Sequence, residues 1–310
     1  MKSNDIPLFD KAGAQIMRID VHTHIFPPEM VADRSRFFDG ESAFRWLYDS
    51  PKARLATAET LLEAMERDGV GKSVVFGFPW ENGELAARHN DYVLECAARY
   101  GDRLVALGCV QPLAPHAAKE SERCLAAGAR GLGELAVYGD CNSVDVLAAF
   151  DAIIGSMRTH GGILLVHANE PVGHVYPGKA PLDLSFYYSL ARMAEGLTLI
   201  LAHWGGGLCF YELLRREASD VLKDVYYDTA ASPFLYRPEI YALMARVPEV
   251  SRKILFGSDF PLLSPARCFR DLDGDGSLTA ADREAICGGN AMRLLEAVTG
   301  RAGELNQPAL

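Results

Sequence analysis

The chain has 310 residues, of which 49% are hydrophobic and 23% charged, and carries a net charge of −10. That balance is typical of a soluble globular protein with enough apolar residues to fill a large core, and its acidity disfavours nucleic acid and anionic membranes as partners. Seven cysteines at irregular spacing, with no Cys-x-x-Cys, argue against a disulfide framework or a cysteine zinc site and predict a reducing compartment. The opening MKSNDIPLFDKAGAQ has no apolar signal core, and the longest apolar stretches fall far short of the ~20 residues of a membrane span. A cytoplasmic location is the expectation.

In chain order, short β-rich runs alternate with helical patterns. Strands are predicted at Ile16–His22, Ser73–Phe78, Leu104–Val110, Gly131–Leu135, Ile163–His167, Leu197–His203, Val225–Thr229 and Ile254–Asp259. Helices are predicted at Thr57–Asp68, Glu84–Tyr100, Pro115–Ala127, Ser143–His160, Asp183–Glu195, Tyr211–Lys223, Pro238–Arg246 and Ala280–Val298, several of them followed by a glycine suited to a C-cap. Eight strand–helix units in succession predict an α/β fold, a (β/α)8 TIM barrel forming a single domain over residues 1–310. An open doubly wound sheet is the competing architecture. It would normally place a Gly-rich turn after the first strand, where this chain has His22-Thr23-His24.

Two connections exceed a minimal barrel. Residues 25–56 form an extended loop rich in aromatics (Phe26, Phe37, Phe38, Phe44, Trp46, Tyr48), which either face the site or pack over the rim. The loop after the fifth strand carries Glu170, His174, Tyr176 and Lys179. Both lie at C-terminal strand ends, where barrels build their active sites.

The chemistry concentrates at those same ends. His22 and His24 are two apart on a strand and face one side. His167 ends the fifth predicted strand, His203 the sixth, Asp259 the eighth, and Glu134 lies at the end of the fourth. Imidazoles and a carboxylate gathered at one barrel mouth are the usual ligands of zinc and related divalent ions.

These segments resemble the amidohydrolase superfamily, and most nearly the branch that includes aminocarboxymuconate-semialdehyde decarboxylase-like enzymes. The resemblance rests on Asp20-x-His22-x-His24 with Pro27, Val166-His167-Ala168, Leu201-Ala202-His203-Trp204-Gly205-Gly206, Phe256-Gly257-Ser258-Asp259-Phe260-Pro261 and Gly288-Gly289-Asn290-Ala291-x-Arg293-Leu294-Leu295, which span residues 20–295. It implies that His22, His24, His167 and Asp259 hold a divalent metal, zinc by expectation, as one ion or two. It further implies that Asp259 and His203 are catalytic. Gly133-Glu134-Leu135 is similar to the fourth-strand glutamate of TatD-like hydrolases. With Glu134 as a bridging ligand, His167 and His203 would hold a second ion. Glu170, His174 and Trp204 are expected to contact substrate. Asp20 is expected to orient a ligand, and Asp228 is open between a substrate-binding and a structural role.

The function expected from this set is a metal-dependent hydrolase that attacks a small-molecule amide, lactone or ester with a metal-activated water. The alternative is a metal-dependent, non-oxidative decarboxylase of a small carboxylic acid. No nucleic acid or membrane partner is expected, and aromatic loops at the mouth are consistent with a homodimer. Separately, residues 271–282, with Asp271, Asp273 and Asp275, resemble a dockerin-type calcium loop. The competing reading there is an acidic turn in which Thr279 and Asp282 cap the last helix.

Overall fold

The computed structural model describes residues 17–274 and 276–305. Eight parallel strands alternate with helices: β1 (Ile19–His24), β2 (Lys72–Phe76), β3 (Leu104–Ala106), β4 (Gly131–Leu135), β5 (Ile163–Val166), β6 (Thr198–Leu201), β7 (Val225–Asp228) and β8 (Ile254–Leu255). β1, β2 and β3 pair in that order, as do β4 through β8. Two seams close the barrel. Gly108 N donates to Gly131 O and Gly133 N to Gly108 O, joining the end of β3 to β4. Val21 N donates to Phe256 O, Asp259 N to His22 O and His24 N to Phe260 O, joining β8 back to β1. Closure leaves no sheet edge exposed.

Alternation along the strands makes two buried layers. Leu164, Val166, Leu199, Leu201, Tyr227 and Phe256 pack outward with Phe150, Ile153 and Met157 of the helix Ser143–His160. Ile19, Val21, Phe76, Leu165, Ile200 and Leu255 form a second cluster, together with Ala291 and Leu294 of the final helix. Several of the helices begin where a polar side chain caps them. Asn82, Asn142, Asp183 and Ser264 each accept a backbone N–H in the first turn that follows.

Several sequence expectations shift. Ile16 lies outside the described residues, and β1 runs on through His24. The third, sixth and eighth strands are shorter than expected. Pairing with β7 ends at Leu255, and the N–H of Phe256 donates to Ile286 O. The helix expected at Tyr211–Lys223 is instead a 3-10 turn, Leu208–Leu213, and a short helix, Ala218–Val221. Glu217, at φ +58°, interrupts the helical path between them. The last helix contains a π-turn at Ala285–Gly289. There the backbone comes so close to the residues leading into β1 that a Cβ on Gly288 would fall 2.0 Å from Met17 O. Among the described residues no helix is long and apolar enough to cross a membrane.

Candidate metal centre

Six ligand-type side chains meet at the C-terminal mouth, supplied by β1, β4 and the turns just beyond β5, β6 and β8. His22 Nε2 lies 3.6 Å from Glu134 Oε2 and 3.7 Å from Asp259 Oδ1. His24 Nε2 lies 3.7 Å and 3.5 Å from the same two oxygens. On the other side of Glu134, Oε1 is 2.9 Å from His167 Nδ1 and 3.5 Å from His203 Nε2. Phe76, at the end of β2, floors the first pair, with ring centroids 5.1 Å from His22 and 4.7 Å from His24.

The backbone is bent to achieve this. His203, Trp204 and Asp259 adopt φ of +55°, +61° and +65°. Non-glycine residues in this region are uncommon and cost free energy that the surrounding structure must supply. Support comes from hydrogen bonds: Asp259 N donates to His22 O, and His203 N donates to Asp228 Oδ1 at 2.9 Å. Gly206 then closes the turn after His203. It sits so near Asn169 that a Cβ would fall 2.2 Å from that residue's carbonyl oxygen.

Three imidazoles are oriented from behind. His22 Nδ1 contacts Asp228 Oδ2 at 2.8 Å, and both side chains are fully buried. A carboxylate only accepts, so Nδ1 carries the proton and the Nε2 lone pair faces the centre. His24 Nδ1 donates to Gly77 O at 3.1 Å and His203 Nδ1 to Ala230 O at 2.9 Å, which sets both rings the same way. Imidazoles held through one nitrogen by a carbonyl or carboxylate are the usual arrangement of metal-binding histidines.

The donor set fits a divalent cation. His22 Nε2 is sealed from solvent and has no hydrogen-bond partner, an expensive state unless something else fills its lone pair. Ligands bound at about 2.1 Å in a tetrahedron stand about 3.4 Å apart, close to the 3.5–3.7 Å found between His22 or His24 and the two carboxylates. Three overlapping groups, His22–His24–Glu134, His22–His203–Asp259 and Glu134–His167–His203, have ligand atoms within 4.8 Å of one another.

Electrostatics points the same way. Burial disfavours the His22 cation, but the charges of Asp228 and Glu134 outweigh it and raise its pKa well above the ordinary histidine value. Burial likewise opposes the His203 cation, yet hydrogen bonding to Glu134 and the charges of Glu134 and Asp259 bring its pKa to about 9. Asp259, despite burial, is held down to about 2 by His24, His22 and His203. The carboxylates thus favour positive charge at the centre, and a bound cation would supply it in place of any proton on His22 or His203.

Asp20 contacts no imidazole. Its Oδ1 accepts from the backbone N–H groups of His22 (3.1 Å) and Ser258 (3.0 Å), so it fixes the β1–β8 seam. Burial raises its pKa to about 7, against the opposing effect of Ser258 and His22. Trp204, expected at the substrate, is fully buried in the core, where it packs against Tyr241 and donates to Ser232 Oγ. Its reversed backbone turns the ring away from the mouth. Glu170 is tied to Tyr176 (2.9 Å) and Lys179 (3.2 Å), and His174 stands exposed on the same loop.

In the acidic segment, Asp275 lies outside the described residues. Asp273 pairs with Arg283, and Asp282 completes a capping box with Thr279, as the competing reading expects. Among the described residues no metal-ligand group occurs there.

Asp228 was open between two roles, and its place behind His22 was not legible, because it depends on the spacing between β7 and β1. Tyr138, three residues past β4, gave no sequence signal. Its ring lies 5.6 Å from His167.

A model of the amidohydrolase family matches residues 19–297. No curated protein gave a significant match. Similar solved structures include 5-carboxyvanillate decarboxylase from Sphingomonas paucimobilis, with 17% identity, 91% of this chain and 99% of that chain covered, and a TM-score of 0.66. The same enzyme from Novosphingobium aromaticivorans, solved with manganese and 3-methoxy-4-hydroxy-5-nitrobenzoic acid, is 16% identical over 91% of this chain and 97% of that one, with a TM-score of 0.68. 2,6-Dihydroxybenzoate decarboxylase from Rhizobium is 19% identical over 91% and 99%, with a TM-score of 0.62. At such identities the likeness establishes the TIM-barrel fold.

Proposed function

This chain belongs to the amidohydrolase family, and on that premise we propose that it is a metal-dependent, non-oxidative decarboxylase of a small planar carboxylic acid. The observation that carries the metal is the orphaned His22 Nε2 facing two carboxylates inside a ring of histidines. The observation that favours decarboxylation over the hydrolysis expected from sequence is the run of decarboxylases among similar structures.

His22, His24, His167 and Asp259, with Glu134 beside them, would hold the ion. Zinc remains a candidate, and manganese gains support from the Novosphingobium structure. When bound, a divalent ion supplies Lewis acidity that anchors the substrate's anionic oxygens and offsets developing charge. His203 faces the centre through Nε2 and is placed to hand a proton to carbon. The C–C bond to the carboxylate breaks, its electron pair stays on carbon, CO2 departs, and that proton takes the vacated position. Asp259 keeps its negative charge and would serve as a ligand beside His22 and His24.

The test is CO2 release from a panel of hydroxybenzoates and unsaturated acids, with metal-depleted, manganese-loaded and zinc-loaded protein. Release that depends on the ion is expected. Fully loaded protein that releases no CO2, yet cleaves a lactone, ester or amide, would overturn the reading. One observation favours that hydrolytic alternative: the two oxygens of Glu134 address separate histidine pairs, a geometry suited to a bridge between two ions. A measured stoichiometry of two, together with hydrolysis, would select it.

A further inference from the structure

Two phenols converge on the mouth of this site from separate loops. Tyr48 ends the helix Ser42–Tyr48 in the long β1 loop, and Tyr138 lies just beyond β4. Both touch Phe78: Tyr48 edge-on at 6.0 Å, and Tyr138 nearly parallel at 6.3 Å and 12°. Neither hydroxyl has a hydrogen-bond partner among the described residues, and neither is sealed from solvent. Other tyrosines in the fold use theirs: Tyr176 donates to Glu170 and Tyr227 to Glu212.

The two rings are half-buried, and the charges of Glu134 and Asp259 act on both. Each phenol also lies within the other's electrostatic reach. Tyr138 lies 5.6 Å from His167 and shares the Phe78 ring with Tyr48, so the two phenols border the carboxylate–histidine cluster. Nearby cations are engaged elsewhere. Arg34, which acts on Tyr48, donates to Ala53 O and Ser50 O, and Lys179 is bound by Glu170, Val172 O and His174 O. The donors left open at the mouth include the two phenol O–H groups, with Phe78 buried behind their rings.

We propose that Tyr48 and Tyr138 are a specificity-determining pair, whose hydroxyls together hold a second anionic oxygen of a planar diacid or hydroxy acid while its reacting carboxylate faces the histidine cluster. The inference rests on the decarboxylase reading for the orientation of the substrate. A phenol, with an ordinary pKa of about 10, is protonated at neutral pH and hence a donor. Tyr138, backed by the buried Phe78, offers a ring face against which a planar acid can lie.

The experiment is calorimetric binding of benzoate, isophthalate and terephthalate to metal-loaded wild type and to the Tyr48→Phe, Tyr138→Phe and double variants, with metal content measured in each. Wild type should bind one of the two diacids about tenfold or more tighter than benzoate, since a hydrogen bond to a charged oxygen is worth about that factor. Each single variant should lose most of that advantage and the double variant all of it, while benzoate affinity and metal content stay put. A merely structural role would weaken benzoate equally. A diacid that binds no tighter than benzoate to wild type, or an advantage that survives both substitutions, overturns the pairing. Failure of the decarboxylase reading would show separately, as metal-loaded wild type releasing no CO2 from any acid.

Discussion

Replacing Asp228 by asparagine tests whether one buried carboxylate sets the metal affinity of the site. Asp228 Oδ1 accepts from His203 N at 2.9 Å and Ala230 N at 3.0 Å, while Oδ2 accepts from His22 Nδ1 at 2.8 Å. An asparagine must keep its one oxygen on the two backbone N–H groups, because an amide nitrogen there would meet two donors. Its NH2 then faces His22 Nδ1, which must give up its proton and accept. The proton moves to Nε2, the atom 3.6–3.7 Å from Glu134 and Asp259 that must be bare to coordinate. Removing such an orienting group costs 10–100-fold in metal affinity, or about 1.4–2.7 kcal/mol. The fold should survive, since the backbone acceptor remains and the shape is unchanged. Chelator competition followed by elemental analysis measures the affinity, and 15N spectra of His22 read the tautomer. Asp20→Asn is the control. Asp20 accepts from backbone N–H groups, and an asparagine oxygen can do the same. Wild-type affinity in Asp228→Asn, with the His22 tautomer demonstrably switched, would refute the reasoning.

Three other outcomes are expected. His203→Asn should lower kcat for CO2 release by about 10²–10⁴, the usual contribution of a positioned proton donor, and steady-state kinetics with metal analysis should find the ion retained. Gly206→Ala, at φ +61° with its Cβ 2.2 Å from Asn169 O, forces the β6 turn to move; about 1–3 kcal/mol of strain lowers the thermal midpoint by about 2–5 °C, read by calorimetry. His89 is buried, accepts from Trp80 Nε1 and reaches Ile25 O at 2.7 Å; burial foremost, with His24 adding, lowers its pKa to about 4 against the opposing pull of the Ile25 carbonyl. The unfolded chain then takes up the proton first, so this stabilisation is whole above about pH 6.5 and drains away as pH falls toward 4, by about 3 kcal/mol; urea unfolding should show a weaker pH dependence in His89→Gln.

What the sequence revealed and what it hid divide along physical lines. Strand order and barrel closure were legible because each strand–helix unit carries its own period and its own cap, such as Asn142 before the helix Ser143–His160. The ligand types were legible because they end strands. Local rules failed where the chain is held by distant partners. The Tyr211–Lys223 stretch keeps a helical pattern, yet it breaks at Glu217. Trp204 sits next to a site histidine in sequence, yet positive φ at both residues sends its ring into the core. Asp20 sits on the ligand strand but spends its oxygen on backbone N–H groups.

The choice between hydrolysis and decarboxylation lay beyond motif reading for a related reason. Both reactions can use the same histidines and carboxylates around one cation, so residue types at strand ends do not separate them. The difference must come from what the mouth holds in front of the ion, and that is built by loops from distant parts of the chain: Tyr48 and Phe78 beyond β1 and β2, Tyr138 beyond β4. Under the decarboxylase proposal, the Tyr138 ring face would reward a flat acid and the two phenol O–H groups a second anionic end. Sequence composition marks the first of these loops only as aromatic; its partners Phe78 and Tyr138 emerge only in the fold.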